Sequence, residues 1–159
     1  MPAVPALRRW QVRRLALAAR RRAARDGRSG TLADASVSES ADSASVYKTH
    51  QAAHGLVPDL VEQVTDGTEA ALKSGSPLYF DIHRIGPGKV KASDVVGVHE
   101  KDLAVQDKYR VNLINYWVDE KLGIVMCLAE APNGDALVQT HREAHGLLPD
   151  EIHQVKQGQ

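Results

Sequence analysis

The 159-residue chain contains one cysteine, Cys127, so no disulfide can close within it, which fits a reducing compartment. It has no apolar run near the roughly 18 residues that a membrane-spanning helix needs. Its start, MPAVPALRRWQVRRLALAARRR, has no uninterrupted apolar stretch of the kind a secretion signal carries. These absences together point to the cytoplasm. Gly86-Pro87-Gly88 reads as a turn, not a phosphate-cradling loop, and neither a serine-hydrolase elbow nor a CxxC pair occurs.

Net charge is formally zero, with twenty basic and twenty acidic residues, but the signs are separated. Residues 1 to 28 hold nine arginines and one acid, Asp26, which leaves eleven basic residues against nineteen acidic in the remainder. An arginine-rich, acid-poor start has the look of an organelle transit peptide; the simpler reading is a solvated basic arm, or a start codon placed too early. The arm could bind nucleic acid or anionic lipid nonspecifically. It has one Trp and no series of stacking aromatics, so specific nucleic-acid recognition is not expected.

What the chain does have is a phrase written twice. HQAAHGLVPDLVEQV (50–64) returns as HREAHGLLPDEIHQV (141–155), and residues 46 to 67 match 137 to 158 at about half their positions. TLADAS (31–36) also echoes CLAEAP (127–132) once an insertion is allowed. Three zones follow: an Arg-rich arm and Ser-rich linker over 1–45, a partial repeat over 46–67, and a complete unit over 78–156. The Arg/Ala run predicts helix or disorder, and TLADASVSESADSAS reads as linker. The arm offers no counterpart to the unit's first strand or first helix.

The complete unit reads β-α-β-β-α-β, the ferredoxin-like plan of an α+β sandwich. Strands are predicted over 78–85, 111–118, 124–130 and 151–155. A helix from Ser93 as N-cap to about Tyr109 would turn Val95, Val98, Leu103, Val105 and Tyr109 inward. A second helix opens at Pro132-Asn133 and closes at Gly146. Helices would cover one face of the sheet through Leu78, Phe80 and Ile82. The other face would be bare, holding Tyr79, Asp81 and His83, and would pack sheet to sheet in a homodimer.

Histidines are the chemistry-bearing residues. His141 and His145 stand four apart on a helix, on one face and a turn from each other, a spacing that can hold a metal ion. His50 and His54 repeat it. His83, His99, Cys127 and His153 add nitrogen and sulfur donors in the same unit. Imidazole suits nickel, copper, zinc and iron. The bland alternatives are exposed or capping histidines, a core His99 satisfied by Asp102, and a packed, inert Cys127.

The strand ending DIH, the segment VHEKDLAVQDKY, the run YWVDEKLGIVMCLAEAP and THREAHGLLPDEIHQV occur in order over residues 79 to 156. Through them the unit resembles a family of small bacterial ferredoxin-like, nickel-binding proteins, a domain of unknown function. The resemblance implies a dimeric α/β-barrel type of assembly, with nickel or another divalent transition metal held by histidines. It implies His83, His99, Cys127, His141, His145 and His153 as the positions that family members share. In the partial repeat, Glu62 stands where His153 would be and Thr31 where Cys127 would be, which argues against a second working site. Three functions compete: a non-catalytic metal-binding protein for nickel sensing, storage or buffering, which is preferred; a cofactor-free enzyme with a small-molecule cavity at Asp81, His83 and Tyr116 on the bare face, His83 acting as general base; and a plain dimeric interaction module.

Overall fold

The computed structural model describes residues 15–22, 31–55, 57–58, 60–67, 70–73 and 75–156. The rest of the Arg-rich arm, 1–14 and 23–30, lies outside them. The complete unit contains β4 (Leu78–Arg84), α2 (Ala92–Val105) followed by a 3-10 turn (Gln106–Tyr109), β5 (Asn112–Asp119), β6 (Ile124–Glu130), α3 (Gly134–Ala144) and β7 (Glu151–Val155). It is α+β, with the element order read from the sequence. Ahead of it stand β1 (Leu15–Arg22), β2 (Thr31–Glu39), α1 (Ser43–His54) and β3 (Leu60–Asp66).

Local chemistry sets the ends of these elements. α3 begins at Asn133, whose side chain accepts the Ala136 N–H at 2.9 Å. It ends where Gly146, at φ 78, donates to the His141 carbonyl, a left-handed close that favours glycine. α2 begins two residues earlier than a Ser93 cap would place it. Lys91 is the cap, its N–H held by Asp94, and the Ala92 N–H goes to Glu120 in the β5–β6 turn at 2.8 Å. That turn crosses the loop after β4: Ile85 and Gly86 both donate to the Gly123 carbonyl. A Cβ on Gly123, at φ 66, would lie 1.7 Å from the Gly86 oxygen, so no other residue fits.

All strand pairs are antiparallel, in the order β2-β1-β3-β5-β6-β4-β7. β1 corrects the expectation of helix or disorder for the Arg/Ala run, at least over Leu15–Arg22, and β2 corrects the linker reading of 31–39. Sheet pairing overrides intrinsic helix preference here: β3 would otherwise expose a long unpaired edge, and β1 covers it from Leu60 to Val64. β1 also occupies a place that had seemed vacant. It lies between β2 and β3 just as β4 lies between β6 and β7. The arm thus supplies a strand in the position that β4 holds in the complete unit.

The helices α2 and α3 lie on the face of the sheet that carries Tyr116, Val118, Val125 and Cys127, packed with Val95, and Leu113 and Ala129, packed with Leu137. A bulge between Leu113 and Asn115 shifts the alternation, so that Leu113 and Tyr116 share this face. α2 turns Val95, His99 and Asp102 inward, the 3-10 turn adds Gln106, and Leu103, expected inside, is 38% exposed. The opposite face holds Phe80, Ile82 and Met126, so the assignment of the two faces of β4 is the reverse of the expected one. Nor is that opposite face bare. Val64 of β3 joins those three side chains in one cluster, with Trp117, Ile124, Leu128 and Val155 packed against it, and all four are buried within one chain. The reason given for a sheet-to-sheet homodimer thus falls away.

The connection from β3 to β4 is strapped down. The Gly67 and Ala70 amides donate to the carbonyls of Tyr116 and Ile114. Buried Glu130 accepts from the amides of Lys73 and Gly75 and from Asn112 Nδ2, its cross-strand partner, at 2.8 Å. A carboxylate buried this deeply is tolerated because several donors face it.

Candidate metal centre

Three elements converge between the helices and the sheet. Alternation along β4 puts Asp81 and His83 on the helix side. α2 brings His99 and Asp102, one turn apart. α3 brings His141, with His145 at its C-cap. His141 is 1% exposed and Asp81 is not exposed at all.

His141 lies between the two carboxylates. Its Nε2 is 3.1 Å from Asp81 Oδ2, and its Nδ1 is 3.0 Å from Asp102 Oδ1. Asp102 also receives His145 Nε2, at 3.2 Å to Oδ2. On the other side of the ring, His83 Nε2 lies 3.3 Å from Asp81 Oδ1. The His83 and His141 rings meet edge to face at 5.0 Å between centroids.

The proton positions follow from these partners. The Leu147 N–H donates to His145 Nδ1 at 3.0 Å, so in the neutral ring Nε2 carries the hydrogen and donates to Asp102. His141 Nδ1 faces the same carboxylate and donates as well. The 3.3 Å approach of His141 Nδ1 to His145 Nε2 is therefore two donors sharing one acceptor.

Burial is the largest influence on His141 and acts to lower its pKa. Hydrogen bonds to Asp102 and Asp81, with their charges, outweigh it and raise the pKa to about 9. Burial likewise opposes ionisation of Asp81, but the hydrogen bond to His141 and the nearness of the His83 imidazole hold its pKa below the ordinary value. Burial pushes His99 and His145 down. It pushes the Cys127 thiol well up, aided by the charges of Asp81 and Asp102.

Of the six positions expected to matter, the structure brings His83, His141 and His145 together. His99 stands nearby against the Tyr116 ring, at 4.8 Å between centroids. Cys127 is buried opposite Asp81 in the β4–β6 register. His153 is not brought in: it pairs with Phe80 across β7 and β4 and lies 3.0 Å from Glu151 Oε2, on the same side as Val155 and away from the helices. From the sequence, Asp81 falls in a small-molecule cavity and Asp102 beside His99, and neither counts among the metal-site residues. The signal was there: Asp81 is two residues from His83 on a strand, and Asp102 is three from His99 on a helix. Asp102 was assigned to His99 but serves His141 and His145.

Two groups of donors among the described residues could each hold a cation: Asp81, His83 and His141; and Asp102, His141 and His145. A buried histidine–carboxylate cluster between helices and sheet defines a small α+β domain with the donor set of a transition-metal site. Residues 79–155 match the family described as "Nickel responsive protein SCO4226-like". The solved structure of SCO4226 from Streptomyces coelicolor A3(2) is 32% identical to this chain; the match covers 52% of this chain and 99% of that one, with a TM-score of 0.48. No curated protein matches. The likeness to the SCO4226-like family rests on residues 79–155, the complete unit. No helix among the described residues is long and apolar enough to cross a membrane.

Proposed function

We propose that this protein binds one divalent transition-metal ion, nickel by family, in a non-catalytic role such as sensing, storage or buffering, and that Asp81, His83 and His141 hold it. The observation that carries this reading is Asp81 Oδ1. It is buried without a hydrogen-bond partner, although it stands 3.3 Å from His83 Nε2. An acceptor left so is costly unless a cation or proton is meant to meet it.

The tautomers favour this group over the alternative. His141 already donates Nδ1–H to Asp102, which frees Nε2 for a metal, and a carboxylate behind a ligating imidazole is the usual orienting arrangement. Ligation by His145 Nε2 would instead require its Nδ1 to give up the Leu147 N–H or lose a second proton. Asp102 and His145 are thus read as positioning residues. A bound divalent ion would neutralise buried negative charge, and nothing in this reading asks for turnover.

Isothermal titration with nickel tests it. Asp81→Asn keeps the volume and removes the charge, and an affinity loss of about 100-fold or more is expected. Unchanged affinity in that variant would overturn the assignment.

A further inference from the structure

A cavity of about 210 Å³ opens beside the cluster, between α2 and the sheet. It lies on the helix-covered face, not on the face where a cavity was expected. Its walls are aliphatic, from Ile85, Val90, Val95, Val98 and Val125. At roughly 30 Å³ per water the space is worth about seven waters, which admits a molecule of about seven heavy atoms.

The charged groups around this space are already answered. Asp102, in the lining, faces His141 and His145. His141 lies between Asp102 and Asp81. Asp81, whose Oδ1 has no hydrogen-bond partner, is not in the lining. Lys89 and Asp94 line the cavity but are exposed, so both keep their water. A charged ligand of either sign would therefore leave water without gaining a free counter-charge, which is costly. The occupant that fits is uncharged.

His99 is the polar group left over. It is 7% exposed, and burial, the largest influence on it, disfavours the charged form. The Asp102 carboxylate, its obvious partner, is taken by His141 and His145. His99 packs against the Tyr116 ring and lines the cavity, and its ring nitrogens make no hydrogen bond among the described residues. A neutral imidazole offers one donor and one acceptor, and a hydroxyl, which does both, answers either nitrogen. An apolar pocket with a single polar group to orient its occupant is the form of a small-molecule site.

We infer that this cavity binds a small aliphatic alcohol, its hydroxyl on the His99 ring and its hydrocarbon body among Val90, Val95, Val98 and Val125. No metal takes part in the contact, so the inference stands apart from the metal-binding reading above.

The test is calorimetric titration of the whole, metal-free chain at neutral pH with cyclohexanol and with its charged relatives, cyclohexylamine and cyclohexanecarboxylate. Cyclohexanol should bind at least tenfold more tightly than either, because each charged relative must lose water without a counter-charge. Adding nickel should change the cyclohexanol affinity less than about twofold. His99→Phe leaves the hydroxyl unpaired and should weaken cyclohexanol about tenfold. His99→Gln, which keeps a donor and an acceptor, should restore most of that loss. Val98→Phe, which fills the cavity, should abolish binding. A urea unfolding midpoint like that of the natural chain shows that a variant folds. Binding of the amine or the carboxylate as tight as that of the alcohol, or no binding of the alcohol by the natural chain, overturns the inference. So does unchanged affinity in folded His99→Phe or Val98→Phe. Nickel uptake is scored in a separate titration, so its failure would overturn the metal-binding reading alone.

Discussion

The chain contains the same phrase in two settings, and only one of them makes a site. β1-β2-α1-β3 and β4-β6-α3-β7 share their connectivity: a central strand flanked antiparallel by two others, with a helix joining the outer pair. Each helix carries histidines four apart. In the first, His50 and His54 meet edge to face at 5.1 Å, on a helix whose buried residue is Val46. Neither belongs to the donor groups found among the described residues. In the second, His141 lies between two buried carboxylates. The difference is in what surrounds the helix. β1, LALAARRR, has no acid where β4 has Asp81, and the first setting has no counterpart of α2 among the described residues to bring an Asp102. A helical histidine pair becomes a site when other elements supply charge and exclude water.

The comparison can be broken at several points. The largest effect is expected from His141→Ala. It removes a proposed ligand and leaves two buried carboxylates facing each other, so nickel should be lost and stability should fall by about 3–5 kcal/mol in urea unfolding. The matching His50→Ala should change neither. Next is Asp102→Asn, which leaves the three proposed ligands in place but weakens the orientation of His141. Nickel affinity should fall about 10- to 100-fold by titration. An effect as large as that of Asp81→Asn would move the ligand set towards Asp102.

pH sharpens the same contrast. Nickel must displace the His141 proton, so apparent affinity should rise about tenfold per pH unit up to about 9. Metal-free protein should show the linked stability change. His141 has its folded pKa raised from 6.5 to about 9, so its contribution is complete below 6.5 and is lost as pH rises through about 9. Asp81 has its pKa lowered from 3.8, so its contribution is present above that value and is lost as pH falls through the folded one. Unfolding in urea across pH 3 to 10 checks both signs. The smallest effect belongs to His153→Ala. Its side chain is on the far face of the sheet, and nickel affinity should move less than about twofold, within the usual range for surface substitutions.

Much of this was legible in the sequence. The order of the complete unit, the Asn133 and Gly146 ends of α3, and β6 and β7 were read from periodicity and capping residues, because those signals are local. What failed was non-local. The faces of β4 are exchanged because Phe80 and Ile82 are apolar and so resemble a helix-facing set; they are buried instead in a cluster on the other face, which Val64 of the first setting joins. β1 was hidden by helix-favouring residues, since the need of β3 for an edge partner is not written in LALAARRR. Asp81 was legible as a cavity residue and Asp102 as a partner of His99, but only folding shows that the two approach the His141 imidazole from opposite sides.

The most direct measurement is equilibrium dialysis of the chain against nickel, counting bound ions by mass spectrometry, for the natural sequence, for His50→Ala/His54→Ala and for His83→Ala/His141→Ala. One ion per chain is predicted in the first two and none in the third. Nickel lost with His50 and His54, or kept without His83 and His141, would contradict the claim that the second setting alone makes the site.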